Sequence, residues 1–480
     1  MPKKIIKAWP DLNEARSRLP QDRKPIYINS FSYPVLLELL SGKKFFIETH
    51  GCQANVRDEE TIKGILSQFG MIEADSPLTS NLMIINTCAV RENAENKVFG
   101  ELGELKAHKK DNSDFLIALC GCMVQQPEIL EKLLKSYPQI DFVFGTDNIS
   151  DLPSILTDVL NQNRRVIDVA SGAGRVIENL PVKRNSSTQA FVNIMYGCDK
   201  FCTYCIVPYT RGRQRSRLPE DILKEVSELK DRGYIEITLL GQNVNAYGKD
   251  LEECLSFSEL LDKVAATGVL KVKFLTSHPW DFSDELIEVI KNNPNIARTI
   301  HLPIQSGSNQ VLKEMGRRYT YEDYKSIYTA IKKAIPEMTF STDIIVGYPT
   351  ERRKEFEDTL KAVKELEFGQ YFTFIYSPRK GTPAAKLEPC ETQETYGAWF
   401  KELTDICYER IAEQNARTVG KVLSVIVTGI SRKDEAMLTC RTDDNVIVHV
   451  RGDKSLINKV MNVKITSAMT FAMFGEIFND

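Results

Sequence analysis

Three of the chain's eleven cysteines fall in one short stretch, Cys198-Asp199-Lys200-Phe201-Cys202-Thr203-Tyr204-Cys205. Thiolates at this spacing can hold three irons of a [4Fe–4S] cube. No fourth cysteine is nearby, so one iron is left without a protein ligand and is open to a substrate or cofactor. A fully ligated cluster usually only carries electrons. A zinc knuckle would want four ligands, commonly in Cys-x2-Cys pairs, and none of the five histidines lies in the stretch. Three core thiols would not need this spacing. Just downstream come Arg211, Arg213, Arg215 and Arg217. Such a run suits anion or phosphate binding. A solvated basic turn is the plainer alternative, but proximity to the cysteine loop favours contact with a polyanionic substrate or a cofactor carboxylate.

A second constellation is dispersed. Cys52, Cys88 and Cys122 each follow a short apolar run: 45–47, 82–85 and 115–119. Ligands gather at the C-terminal edge of an open parallel sheet, so three such loops could place three thiolates on a second cluster. Cys120 competes for the third position. It continues the apolar run directly, whereas Cys122 lies beyond Gly121, where the backbone can turn; Cys122 is the expected ligand and Cys120 a core thiol. Taken alone, single cysteines at strand ends are more often packing residues. Cys254, Cys390, Cys407 and Cys440 show no ligand spacing and read as packing. His278, beside Pro279, reads as a structural histidine.

The elements that must carry these residues divide the chain. At ~150 residues per domain, 480 residues allow about three domains. Residues 1–42 hold five prolines and an excess of lysine and arginine, and read as a weakly structured basic extension, either a solubilising leader or an RNA-contacting arm. From 43 to 180, apolar runs alternate with charged helix-like segments, the pattern of a parallel α/β sheet. Residues 181–190 are polar and broken, a candidate linker. Six further strand candidates, 191–196, 235–240, 272–276, 299–303, 340–346 and 371–376, alternate with amphipathic helices across 185–415. One such helix carries Ile222, Val226 and Leu229 at helical spacing after Pro219. Six βα repeats suggest a partial barrel, short of the full eight, with the cysteine loop just after its first strand. Within 416–480, the strand-like runs 422–430, 446–450 and 460–466, with turn residues at 442–445, indicate a small antiparallel β-barrel with a slight basic excess.

Composition excludes several classes. With 42% hydrophobic and 26% charged residues the chain is not intrinsically disordered, and a net charge of −3 excludes a uniformly basic coat. No apolar run reaches the ~18 residues of a membrane span, and Pro10 and Asp11 interrupt the place where a signal peptide needs its apolar stretch. Eleven cysteines, an odd number without a secretion signal, are not a disulfide framework. A soluble, cytoplasmic protein with no membrane contact is expected.

The Cys-x3-Cys-x-aromatic-Cys pattern resembles the signature of the radical S-adenosylmethionine superfamily, in which the open iron chelates S-adenosylmethionine. The stretches His50-Gly51-Cys52-Gln53-Ala54-Asn55, Asn86-Thr87-Cys88-Ala89-Val90-Arg91-Glu92-Asn93-Ala94 and Gly121-Cys122-Met123 resemble the cluster motifs of the methylthiotransferases. That resemblance covers residues ~43–480. It implies an N-terminal domain with an auxiliary [4Fe–4S] cluster, a (β/α)6 radical S-adenosylmethionine barrel and a C-terminal RNA-binding TRAM barrel. Cys52, Cys88, Cys122, Cys198, Cys202 and Cys205 become the cluster ligands, the last three catalytic. Tyr204, Gly241, Gln242, Gln305 and Gly347 become candidate cofactor contacts, although Gly241-Gln242-Asn243 lacks an acidic residue. The stretches 93–98 and 195–201 look most like the branch that methylthiolates C2 of N6-dimethylallyladenosine next to the tRNA anticodon. A branch acting on N6-threonylcarbamoyladenosine is the alternative enzyme, and a non-catalytic metal-containing RNA binder is the alternative class. The resemblance further implies two [4Fe–4S] clusters, S-adenosylmethionine, an electron donor such as flavodoxin or ferredoxin, a sulfur donor that the sequence does not name, and a monomer.

Overall fold

The computed structural model describes residues 4–16, 24–89, 92–162, 165–171, 174–252, 255–431 and 433–478; Val90, Arg91, Cys254 and Arg432 lie outside them. The first half is built on a seven-stranded sheet in the spatial order Lys4–Ala8, Arg165–Asp168, Phe142–Phe144, Leu116–Gly121, Leu82–Thr87, Lys44–His50 and Ile72–Glu73. Every pairing in it is parallel. Side chains alternate across the sheet. Met83, Ile85, Ile117 and Leu119 pack on one face, and Leu82, Ile84, Ala118 and Cys120 on the other. Both faces are covered by helices, so the central strands are apolar throughout.

Residues 4–8 correct one expectation. They are not a loose extension but the edge strand, paired with Arg165–Asp168. Ile5 packs against the core, and Lys7 pairs with Asp158 at 2.6 Å. Lysines flanking two isoleucines are what an edge strand half-open to water tolerates.

The second half is the partial barrel. Gln189–Asn193, Glu236–Leu240 and Lys271–Phe274 form one parallel trio, and Thr299–His301, Thr339–Val346 and Gln370–Ile375 another. A bridge between Val272 and Ile296 joins the two. Residues 181–190 are no free tether. Pro181 lies so close to helix Gln53–Gln68 that a Cβ at Gly64 would stand 2.2 Å from its carbonyl oxygen. Arg184 bridges Glu60 on that helix, at 2.9 Å, and Glu225 on the first barrel helix, Pro219–Asp231, at 2.7 Å.

Helix Gln393–Ala416 leads to a closed five-stranded barrel, Val422–Ile430, Met437–Arg441, Ile447–Arg451, Ala472–Ile477 and Val460–Ala468. Its pairings are antiparallel except for Ile447–Arg451 with Ala472–Ile477. Closure leaves no open edge, and Val425, Val427, Leu438, Val448 and Val463 fill the interior. Among the described residues, no helix is long and apolar enough to cross a membrane.

Candidate functional site

The loop 197–214 leaves the barrel between two short antiparallel strands, Met195–Tyr196 and Arg215–Ser216. Its neck is tight: Gly197 has φ +69°, and a Cβ there would meet the Arg213 carbonyl at 2.1 Å. Cys198 donates its N–H to Gly212 O, and Cys205 donates to Cys202 O, so the loop folds back on itself and turns its three thiols toward one another. Burial pushes the Cys198 thiol up to about 12 and the Cys205 thiol up as well, and each feels Cys202. Arg317, buried, donates from Nη1 to Cys202 Sγ at 3.6 Å, from Nη2 to Pro303 O at 3.0 Å and from Nε to Tyr319 Oη at 2.9 Å. Tyr204 packs against Val311, Met315, Tyr348 and Ala384 beside that guanidinium.

The second trio comes together at the end of the seven-stranded sheet. Cys52 caps helix Gln53–Gln68, Cys88 follows strand Leu82–Thr87, and Cys122 follows Leu116–Gly121. Buried Asn55 and Asn86 join the first two loops: Asn55 Nδ2 donates to Asn86 Oδ1 and Thr87 O, each at 3.2 Å, and Asn86 Nδ2 returns to Asn55 O at 2.8 Å. Gly121, at φ +93°, takes the turn to Cys122 against the Thr87 carbonyl, where a Cβ would come within 2.4 Å. Burial pushes the Cys122 thiol up to about 12, and neighbouring Cys88 and Cys52 push the same way, while Arg211 opposes them. Cys120 points into the opposite core with Ala118 and Phe142. The two trios adjoin: Ala89, Cys122, Ile206 and Tyr209 form one apolar cluster, capped by Leu12.

Cys198 and Cys205 in the first trio, and Cys122 in the second, are buried thiols whose ionised form burial and the neighbouring cysteines disfavour. A multivalent cation is the group that makes three thiolates compatible there, which is the donor chemistry of an iron–sulfur cluster. The barrel mouth shows the complementary deficit. Gln242 Oε1, Asn243 Oδ1, Ser277 Oγ, His278 Nε2 and Gln305 Oε1 are buried without a protein hydrogen-bond partner, at the ends of consecutive strands. Buried polar atoms of this kind are completed by a polar ligand. His278 accepts the Trp280 N–H at Nδ1, and burial, with Arg317 and Lys200 close by, lowers its pKa to about 2. A neutral ring therefore carries its proton on the unpaired Nε2.

The other candidates fall in different settings. Gly241 lets Met195 approach, since a Cβ would lie 2.5 Å from Met195 Cγ. Gln305 sits at φ +68°, with its N–H donated to Asp343 O. Gly347 backs onto the Tyr396 ring and gives its N–H to Glu351 at 2.5 Å, so its donor is already engaged. Cys407 and Cys440 lie in apolar cores, and Cys390 is exposed, its thiol against Glu351 O.

The arginine run departs from the sequence reading. Three of the four side chains are buried against carboxylates brought in from other elements of the chain. Arg211 binds Asp58 at 2.6 Å and also donates from Nε to Cys122 Sγ at 3.2 Å. Arg215 binds Asp147 at 3.1 Å, and Arg217 binds Glu178 and Glu225, each at 2.6 Å. Arg213 pairs with Asp199. Arg211, Arg215 and Arg217, with their carboxylate partners Asp58, Asp147, Glu178 and Glu225, line a 320 Å3 cavity between the halves. Burial alone would raise Glu225, yet Arg217, Arg57 and Arg184 hold it down to about 2. The run is thus an interdomain ion-pair network, and composition missed this because the partners lie far away in sequence. Arg317 was missed for the same reason.

Residues 192–363 match the model of the Radical SAM superfamily, 44–145 that of the Uncharacterized protein family UPF0004, and 416–478 that of the TRAM domain. The chain is 47% identical over 473 residues to the tRNA-2-methylthio-N(6)-dimethylallyladenosine synthase of Geobacillus kaustophilus (strain HTA426), covering 98% of this chain and 89% of the relative. It is 45% identical over 473 residues to the synthase of the same name in Bacillus subtilis (strain 168), covering 98% and 92%. Among solved structures, the radical S-adenosylmethionine methyltransferase TsrM of Kitasatospora setae, with cobalamin and a [4Fe-4S] cluster bound, has a similar fold. Its TM-score is 0.53 at 12% identity, covering 72% of this chain and 74% of that one.

Proposed function

The chain belongs to the family of the tRNA-2-methylthio-N(6)-dimethylallyladenosine synthases, and from that premise we propose how its own residues carry the reaction. The protein is a radical S-adenosylmethionine tRNA methylthiotransferase that converts N6-dimethylallyladenosine beside the anticodon to its 2-methylthio form, using S-adenosylmethionine and a [4Fe–4S] cluster. We assign Cys198, Cys202 and Cys205 to that cluster, and Cys52, Cys88 and Cys122 to a second one. We divide the chain into the 1–42 segment, a sheet domain over 43–180, a barrel over 185–415 and an RNA-binding barrel over 416–480. When bound, these groups supply a radical able to take the unactivated hydrogen from C2, together with the sulfur and methyl that replace it.

The chain's own part is positioning. Arg317 and Arg211 each direct an N–H at one thiolate, which orients the ligand and moderates its charge. Gln242, Asn243, Ser277, His278 and Gln305 offer the polar atoms that bind S-adenosylmethionine, with neutral His278 as a donor. Ala89, Cys122, Ile206 and Tyr209 keep the space between the two trios dry. The unpaired anticodon loop makes it inexpensive to bring a base there. A flavodoxin- or ferredoxin-like donor, a cytoplasmic location and a monomeric state complete the reading.

The observation that carries it is the meeting of the two cysteine trios at one apolar cluster, in a chain related over 98% of its length to synthases of this activity. Nucleoside mass spectrometry of tRNA from a deletion strain tests it. The 2-methylthio-dimethylallyl nucleoside should vanish, with its unthiolated precursor accumulating. Loss of a thiomethylated threonylcarbamoyl nucleoside instead would refute the substrate assignment.

A further inference from the structure

Trp280 is 44% exposed on the turn Pro279–Asp281, which follows barrel strand Lys271–Phe274 at the C-terminal mouth. An indole left open to water beside a reaction site calls for a partner. Two cations already attend it: Lys200 Nζ and the Arg318 guanidinium carbon each lie 5.1 Å from the ring centroid. Lys200 is in the cysteine loop, two residues after Cys198. Arg318 adjoins Arg317, which touches Cys202. Whatever rests on Trp280 therefore lies beside the first cysteine trio.

The charge around the ring is positive and unevenly satisfied. Asp281, its side chain 1% exposed, binds both Lys200 at 2.7 Å and Lys249 at 2.6 Å, and it accepts from Asn243 at 2.7 Å. Arg318 is exposed and, among the described residues, has no ion-pair partner. Its backbone is held at φ +54°, a conformation that non-glycine residues seldom adopt and that clusters at functional sites. A flat aromatic face with one free guanidinium and two lysines sharing one carboxylate matches a nucleotide: a base to stack and a phosphate to neutralise.

We propose that Trp280, with Lys200 and Arg318, is a stacking platform for one unpaired base of the anticodon loop next to the target adenosine, the Arg318 side chain meeting that nucleotide's phosphate. This rests on the tRNA substrate assigned above and adds to it a specific holding point. Stacking keeps the neighbouring base in place while the target base enters the barrel mouth. An acidic redox protein could use the same cations, but the position beside the cysteine loop favours the substrate itself.

The test uses the full-length, anaerobically reconstituted enzyme and a synthetic dimethylallylated anticodon stem-loop carrying 2-aminopurine at single unpaired positions. Wild type should quench one position by stacking. Trp280→Ala should abolish that quench and weaken binding about tenfold or more, while Trp280→Phe stays within about threefold. Arg318→Gln should flatten the plot of log affinity against log salt by about 0.7. Unchanged iron content and melting temperature show that the variants are folded. Parent-like affinity and quench in Trp280→Ala would overturn the proposal while leaving the tRNA assignment standing. So would parent-like RNA binding with a defect confined to turnover driven by flavodoxin. Failure of the parent enzyme to bind the stem-loop would overturn the substrate assignment and the platform with it.

Discussion

Arg211 links the two halves of the site, and its removal should be legible in a redox potential. Its Nε donates to Cys122 Sγ at 3.2 Å while Nη2 holds Asp58 at 2.6 Å, all three residues buried. Replacing it alone would leave Asp58 buried and unpaired, a loss of about 3–5 kcal/mol. The informative variant is therefore Asp58→Asn/Arg211→Gln, which removes both charges. A hydrogen bond from a charged donor contributes about 1.5–3 kcal/mol. It strengthens when reduction adds negative charge to the thiolate. If about 1 kcal/mol of its worth is exclusive to the reduced form, loss of the bond lowers a one-electron midpoint by about 40 mV. The assay is an EPR-monitored potentiometric titration of full-length protein with Cys198, Cys202 and Cys205 all replaced by alanine, so that one trio remains. The double variant should titrate about 40 mV lower, and Arg211→Lys, which keeps the charge, should shift less. A midpoint within about 10 mV of the parent, or a shift upward, would refute the role given to this arginine.

Three further outcomes follow from the same geometry. Gly121→Ala forces a Cβ within 2.4 Å of the Thr87 carbonyl at φ +93°; it should destabilise the protein by about 1–3 kcal/mol in urea unfolding and halve the bound iron, since Cys122 is displaced. Glu225, held at about 2 against an ordinary 4.5, contributes stability that is complete above pH 4.5 and lost as the pH falls from there toward 2. Glu225→Gln should therefore lower stability at pH 7 by up to about 3 kcal/mol and flatten the acid limb of the stability curve in that window. Gln305→Ala removes one of the unpaired buried oxygens at the barrel mouth; it should raise the KM for S-adenosylmethionine about tenfold with iron content unchanged, as expected for a lost polar contact of about 1.4 kcal/mol.

Much of the architecture could be read from residue pattern because the central strands are buried on both sides. Leu82–Thr87 and Leu116–Gly121 are nearly continuous apolar runs, and a two-sided strand has no other reading. Two other strands of the sheet hid for local reasons. Phe142–Phe144 is only three residues long, and Lys4–Ala8 sets two adjacent isoleucines between lysines, with no alternation to read. In the terminal barrel, Met437–Arg441 and Ala472–Ile477 lack a clear β-branched run. The six cysteines proposed as cluster ligands are accessible through spacing and strand ends. The arginines are not. Local charge density at 211–217 cannot reveal that Asp58, Asp147 and Glu178 fold onto it, and neither Arg317 nor Trp280 stands in any periodic or motif context. His278, a structural histidine by its sequence context beside Pro279, has an unpaired Nε2 that sets it with the polar cluster at the barrel mouth.

We propose that two separate trios of thiolates each hold a cluster. This is tested most directly by iron and sulfide determination on anaerobically reconstituted full-length protein, parent against a variant with Cys52, Cys88 and Cys122 all changed to alanine. About eight irons are expected in the parent and about four in the variant, which should still cleave S-adenosylmethionine yet insert no sulfur into tRNA. Equal iron in the two proteins, or a variant that still forms the methylthio nucleoside, would contradict it.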